Sequence, residues 1–371
     1  MISSRSHPIS SEQSQKPQII RLVIVFLLIK PISSYFLFQM ELVRYTFPTW
    51  VVPLSNVIFI LLLLLIINKV FNYLCRIIDL PISNFLQTEE LLLLYVMLSL
   101  ATSLAGCDVL QAVLSLLGHG NWFATDENEW AELFGHHLPT WLTVSNRTVL
   151  KGYYMGESSL YIPLHLQTWL PVVLNWILLF FLLSLMFLCL NAIVYRQWSN
   201  LERLTFPIIQ LPLAMAKTED SIFTNKKLWL GICIASAIGL LNGISTLVPS
   251  LPEIPITRRS YHFVEAPLNF YGSVTIALYP FAIGIMFLMP LDVLFSTLVF
   301  YFLYRNQTAA ARAFGIPGNF PYLNEQTLGA FFGLCVFFIW IGRAHFRKVL
   351  DVAFNRVTEK KKIKMNFYLI A

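Results

Sequence analysis

The chain has 371 residues, of which 57% are hydrophobic, 15% aromatic and only 12% charged. Soluble domains carry about 25% charged residues, so too few charges remain here to cover a water-facing surface. A soluble enzyme and a disordered chain are both excluded, since disorder needs low hydrophobicity and high charge. The excess of 26 Lys+Arg over 20 Asp+Glu excludes nucleic-acid binding by its distribution: eight basic residues lie beyond Ile341, and most others flank apolar runs, where cytoplasmic charges belong.

Taken in chain order, residues 1–18 form a polar segment read as a disordered cytoplasmic tail. A transmembrane domain is expected over 19–342, and each crossing needs roughly 20 apolar residues. Runs at 19–40, 50–71, 91–117, 168–194, 228–249 and 325–342 meet that length or come close to it. Lys30 and Pro31 interrupt the first, and Lys30 there either snorkels or pairs with a neighbouring span. The third carries Gly106-Cys107-Asp108 and Gln111 near its outer end. An ionisable group at membrane depth costs roughly 2.5–3.5 kcal/mol on insertion scales and usually faces a cavity. Asp108 and Gln111 are therefore candidates for contact with a substrate or proton, and a capping Asp at the bilayer edge is the plainer alternative.

The loop 118–167 is rich in aromatics (Trp122, Trp130, Trp141, Tyr153, Tyr154, Tyr161) and histidines (His119, His136, His137, His165). It reads as an interfacial cap or a sugar- or peptide-stacking surface. No metal spacing of the HExxH kind appears, so neither metal nor cofactor is expected. The segment 206–216 is apolar but too short to cross and carries Pro207 and Pro212, which suits a re-entrant or surface-lying helix.

Arg258 and Arg259 precede the last long apolar stretch and could hold phosphate or carboxylate groups, or form a solvated loop. Residues 271–304 would reach about 50 Å as one helix, too long for a single crossing. Pro290-Leu291-Asp292 breaks the stretch, and Asp292 at a new helix start is a further candidate, either for a substrate or as a simple cap. The tail 343–371 is basic.

Charge sets the orientation. Residues 118–146 have no Lys or Arg, whereas 195–227 and the C-terminal tail are rich in them. Both termini are then cytoplasmic, provided that 271–304 crosses twice as a hairpin. The expected fold is an all-α, polytopic transmembrane helix bundle of about eight membrane segments, in the plasma (inner) membrane of a bacterium.

Three stretches carry a resemblance: RQWSNLERLTFPIIQLPLAMA (196–216), MPLDVLFSTLVFYFLYRNQ (289–307) and EQTLGAFFGLCVFFIWIGRAHFRKVLDVAF (325–354). They resemble a family of uncharacterised multi-span bacterial membrane proteins, over about residues 20–355. The resemblance implies no activity. Its members are longer at the C-terminus, so this chain is expected to be a shortened form or to need a missing C-terminal partner. A weaker likeness, carried by Leu201 to Pro207, is to the oligopeptide transporter superfamily, and it implies transport without naming a cargo.

No P-loop, dinucleotide-binding glycine motif or nucleophile elbow occurs, and catalysis is not expected. The reading is a transporter, or a component of one, for a small polar solute or peptide, with Asp108, Gln111, Asp292, Arg258 and Arg259 as its substrate-binding candidates. Membrane lipids and a homo-oligomer are the other partners expected. A membrane enzyme acting on envelope lipid or glycan precursors, or a non-catalytic assembly subunit, is the alternative.

Overall fold

The computed structural model describes residues 19–78, 85–196, 198–199, 206–217, 222–316 and 320–354. The segment 1–18, Arg203 and the lysine-rich end 360–364, all given roles by charge above, lie outside them. Among the described residues the fold is all-α apart from one two-stranded hairpin. Six helical stretches among the described residues are long and apolar enough to cross a membrane: Ile19–Val43, Ser55–Ile77, Thr88–Trp122, Pro163–Tyr195, Lys226–Leu247 and Leu323–Ile341. This is an integral membrane protein, with six such stretches where the hydropathy runs suggested about eight segments. The chain divides into two compact units, one of Met1–Ile177 with Ile208–Leu230, the other of Leu178–Pro207 with Gly231–Ala371.

The first unit is built on α1 (Ile19–Phe38), α2 (Ser55–Ile77) and α3 (Thr88–Ala105). Leucines at helical spacing on α2 (Leu61, Leu64) and α3 (Leu91, Leu94, Leu98) close on Leu22 of α1 to form its core. Asn68 fixes the turn between α2 and α3. Its Oδ1 accepts from the backbone N–H of Phe85 (2.9 Å) and Leu86 (3.1 Å), and its Nδ2 donates to the Leu86 carbonyl (2.8 Å). The Glu90 carboxylate then accepts the Gln87 N–H at 2.9 Å, which caps the free donors at the start of α3.

α1 and α3 run parallel in a constant register. Arg21 pairs with Glu90, Lys30 Nζ donates to the Ala101 carbonyl (3.0 Å), and Gln111 Nε2 donates to Glu41 (2.7 Å), at separations of 69, 71 and 70 residues. Lys30 thus pairs with a neighbouring span. Twenty residues from Arg21 to Glu41 cover about 30 Å of helix, the thickness of the hydrocarbon core.

The aromatic loop 118–167 folds into a cap around α4 (Arg147–Met155), which begins where the Asn146 side chain accepts from the backbone N–H groups of Thr148 and Val149. Val149 and Leu150 are buried with Leu117, Val144 and Trp169 in a second small core. Tyr153 donates its hydroxyl to the Leu114 carbonyl (3.0 Å), and Trp176 Nε1 donates to that of Leu142 (2.9 Å). The long helix α5 (Pro163–Arg196) follows. Next comes α6 (Pro207–Ala216), 10 residues and about 15 Å long, which buries Met215 in the core of the first unit. α7 is Lys226–Leu247.

In the second unit, β1 (Arg259–His262) pairs antiparallel with β2 (Ser273–Ile276). The stretch 271–304 is not one helix. β2 leads to α8 (Pro280–Leu288), the chain breaks at Met289-Pro290, and α9 runs Leu291–Ala313. The two ends of this stretch are tied together. Arg305 donates to the carbonyls of Tyr271 and Ser273, the latter at 2.6 Å. The Tyr271 hydroxyl donates to Asn306 Oδ1 (2.5 Å), and Arg312 donates to the Phe270 carbonyl (3.2 Å). Gly272 has φ +66, and an added Cβ would lie 2.6 Å from Arg312 Nη1, so the turn under Arg312 requires glycine. The segment leaves one level and returns to it. α8 is about 13 Å long, and α9 runs about 21 Å from Leu291 to Arg305. α8 falls short of the roughly 30 Å core, whereas the 23 residues of α9 are long enough to cross it. The last turns of α9 carry Arg305, Asn306, Gln307 and Arg312, so its apolar part is short and it is not one of the six apolar stretches. α10 (Leu323–Ile341) and α11 (Arg343–Ala353) complete the described chain.

Candidate functional site

Two irregular turns face each other at one end of the α1–α3 seam. α1 continues into a π-helical turn, Gln39–Val43, closed by Arg44 N–H to the Gln39 carbonyl (3.2 Å). α3 stops at Gly106, whose ψ of 171 takes the backbone out of the helix, and a second π-helical turn, Cys107–Gln111, follows. Such turns often mark functional positions because they re-aim side chains. Gly106 also permits close approach, since a Cβ there would lie 3.0 Å from the Thr49 side chain.

These turns enclose Glu41, which is 1% exposed. The Thr49 hydroxyl is bonded to its Oε1, and Gln111 Nε2 donates to its Oε2 at 2.7 Å and to the Ala105 carbonyl at 3.2 Å. Gln111 Oε1 is buried without a hydrogen-bond partner, as is Thr102 Oγ1 lower on α3. An unmet buried acceptor costs about 1–3 kcal/mol. The Trp50 indole N–H reaches Cys107 Sγ at 3.1 Å, closing the side of the turn. Among the described residues the one ion pair is Arg21–Glu90, so Glu41 has hydrogen-bond donors and no cation. The cluster therefore presents a buried carboxylate with spare acceptor capacity at the edge of the membrane-crossing seam, suited to a ligand or ion that brings donors or positive charge.

The sequence candidates distribute as follows. Gln111 belongs to this cluster. Asp108 stands three residues earlier on the same turn, exposed and in no ion pair among the described residues. Arg259 opens β1 opposite Ile276, with Arg258 just before it; both are exposed. Asp292 lies in the first turn of α9, exposed, beside Ser296 and Thr297, whose hydroxyls bond back to the carbonyls of Asp292 and Val293. Asp292 and Arg305 are 13 residues apart on one helix, about 20 Å, and Arg305 is the residue bound to the β-hairpin. The arginine pair and Asp292 thus occupy opposite ends of this element rather than one site. Among the described residues no group of three metal-ligating side chains occurs.

Sequence reading missed Glu41, Thr49 and Asn56. Glu41 lies just beyond an apolar run and three residues before Arg44, where a carboxylate looks like a loop residue. Asn56, 6% exposed, lacks a hydrogen-bond partner at both Nδ2 and Oδ1.

The chain belongs to a family of unknown function, DUF6785, whose model matches residues 12–369. This agrees with the resemblance to uncharacterised membrane proteins and brings no support for the likeness to oligopeptide transporters. No curated protein and no solved structure matches the chain.

Proposed function

We propose that this protein is a transporter, or a component of one, for a small polar solute. The observation that supports the reading is Glu41, a carboxylate 1% exposed on a membrane-crossing helix, held by donors from two other segments without a cation beside it. A buried charge without a counter-charge is costly, and ionisable groups on membrane-crossing segments that face the bundle interior mark substrate and ion pathways in transporters. In this reading Asp108 and Gln111 form the mouth of the site and Glu41 its floor. Lys30 and the Arg21–Glu90 pair continue a polar line along the same seam. Asp292, at a helix start in the broken segment, and the Arg258-Arg259 pair are separate contact points on the second unit.

Both termini face the cytoplasm in a bacterial inner membrane, by the distribution of Lys and Arg. Six crossings with 271–304 as a re-entrant hairpin satisfy that orientation, as eight do, since both numbers are even.

A thermal-shift screen of the purified protein in detergent tests the reading, with amino acids, short peptides, sugars and ions as ligands. Saturation at a hundred times Kd raises stability by about 2.7 kcal/mol. A ligand is expected that shifts the wild type and loses its effect in Glu41→Gln or Asp108→Asn. A folded wild type that no solute shifts, or a shift that both variants retain, would sink the proposal.

A further inference from the structure

A second feature of the first unit lies apart from the Glu41 cluster. α1 and α2 each pack on α3, and the space between them is a cavity of about 330 Å³. It is lined by Ile32, Ser33 and Phe36 of α1 and by Asn56, Leu63 and Ile67 of α2, among other apolar residues. Ser33 and Asn56 are the only polar side chains in the lining. Asn56 is 6% exposed, and both of its amide atoms lack partners.

The surroundings decide what fits. α2 is 23 residues long, about 34 Å, so its second residue lies at one boundary of the hydrocarbon core. From Asn56 the lining extends to Ile67, about 16 Å toward the other side. A transmembrane helix about 10 Å wide would need roughly 1,250 Å³ over that length, more than the roughly 830 Å³ of empty space there even with its open side included. A single alkyl chain fits, and at about 1.2 Å per bond it would have about 13 carbons. Apart from Ser33 the lining is apolar and leaves the buried Asn56 amide without a partner; a polar group at the end of the chain supplies one. A hydroxyl, which both donates and accepts, matches an amide that can do both.

We propose that the α1–α2 cleft is a binding site for a single-chain membrane amphiphile, with its hydroxyl on Asn56 and its alkyl chain along Phe59, Leu63 and Ile67. The polar end then sits at the membrane boundary and the chain points inward, as in the surrounding lipid.

The test uses the full chain in lipid nanodiscs with tritiated tetradecan-1-ol as probe, displaced by unlabelled tetradecan-1-ol or tetradecane. In the wild type the alcohol should compete up to about tenfold better than the alkane, the range of one hydrogen bond. Asn56→Leu should abolish that preference. Leu63→Trp, which fills the cleft and keeps the amide, should weaken binding of the alcohol at least tenfold. Equal competition by alcohol and alkane in the wild type, a preference that survives Asn56→Leu, or undiminished binding in Leu63→Trp would each overturn the proposal.

Discussion

Gly106 shows how much of the site depends on a missing side chain. Its φ of −68 suits any residue, so the requirement is space: the Thr49 side chain occupies the position of a Cβ at 3.0 Å. Gly106→Ala should push Thr49 away from Glu41 and leave one carboxylate oxygen without its partner. A loss of about 1–3 kcal/mol is expected, read as a lower unfolding temperature in detergent. The Thr49 Cβ itself lies 3.1 Å away, so the clash-relieving Gly106→Ala/Thr49→Gly pair should be no worse than Thr49→Gly alone; additive losses would refute this account. Single residues were only half legible in the sequence. Asp108 and Gln111 stood out because polar groups inside apolar runs are conspicuous. Glu41 did not, because its role arises from Thr49 and Gln111, and the latter lies 70 residues away. Hydropathy registers what a residue is, and it carries no record of which distant helix end meets it.

Among the elements, the spans were legible and the broken segment was not. Each of the six stretches that qualify by length and composition overlaps an apolar run read from the sequence, because about 20 apolar residues make a strong signal. The stretch 271–304 has the same composition, yet it divides into β2, α8 and α9. The proline break was visible. The clamp of Arg305 and Arg312 on Tyr271, Ser273 and Phe270 was not, since it rests on side chains bonding to backbone carbonyls. This clamp predicts sidedness. In a cysteine-free background, Tyr271→Cys and Asn306→Cys should react with a membrane-impermeant thiol reagent from the same face. Labelling from opposite faces would mean that the segment crosses an odd number of times.

At the scale of the whole molecule, class and family were legible: an all-α integral membrane protein of a family without assigned function. Its two units were not, because no composition shift marks the boundary. The first unit also has a predicted response to pH through its cap. Burial raises the phenol pKa values of Tyr153 and of Tyr154, the latter raised further by Tyr153. The folded cap therefore holds phenolic protons above the ordinary value near 10, where the unfolded chain releases them. That contribution is complete below pH 10 and is lost as pH rises through the raised values. Thermal unfolding of the Tyr153→Phe/Tyr154→Phe variant should then fall less steeply in alkali than that of the wild type, and parallel curves would contradict it. The constant register between α1 and α3 has a mechanical consequence. A slip of one residue moves a helix by about 1.5 Å and turns it by about 100°, which would break the contacts at Arg21, Lys30 and Glu41 together. Sliding or rolling of this pair is thus an all-or-none event, and small motions carry α1 and α3 as one strut.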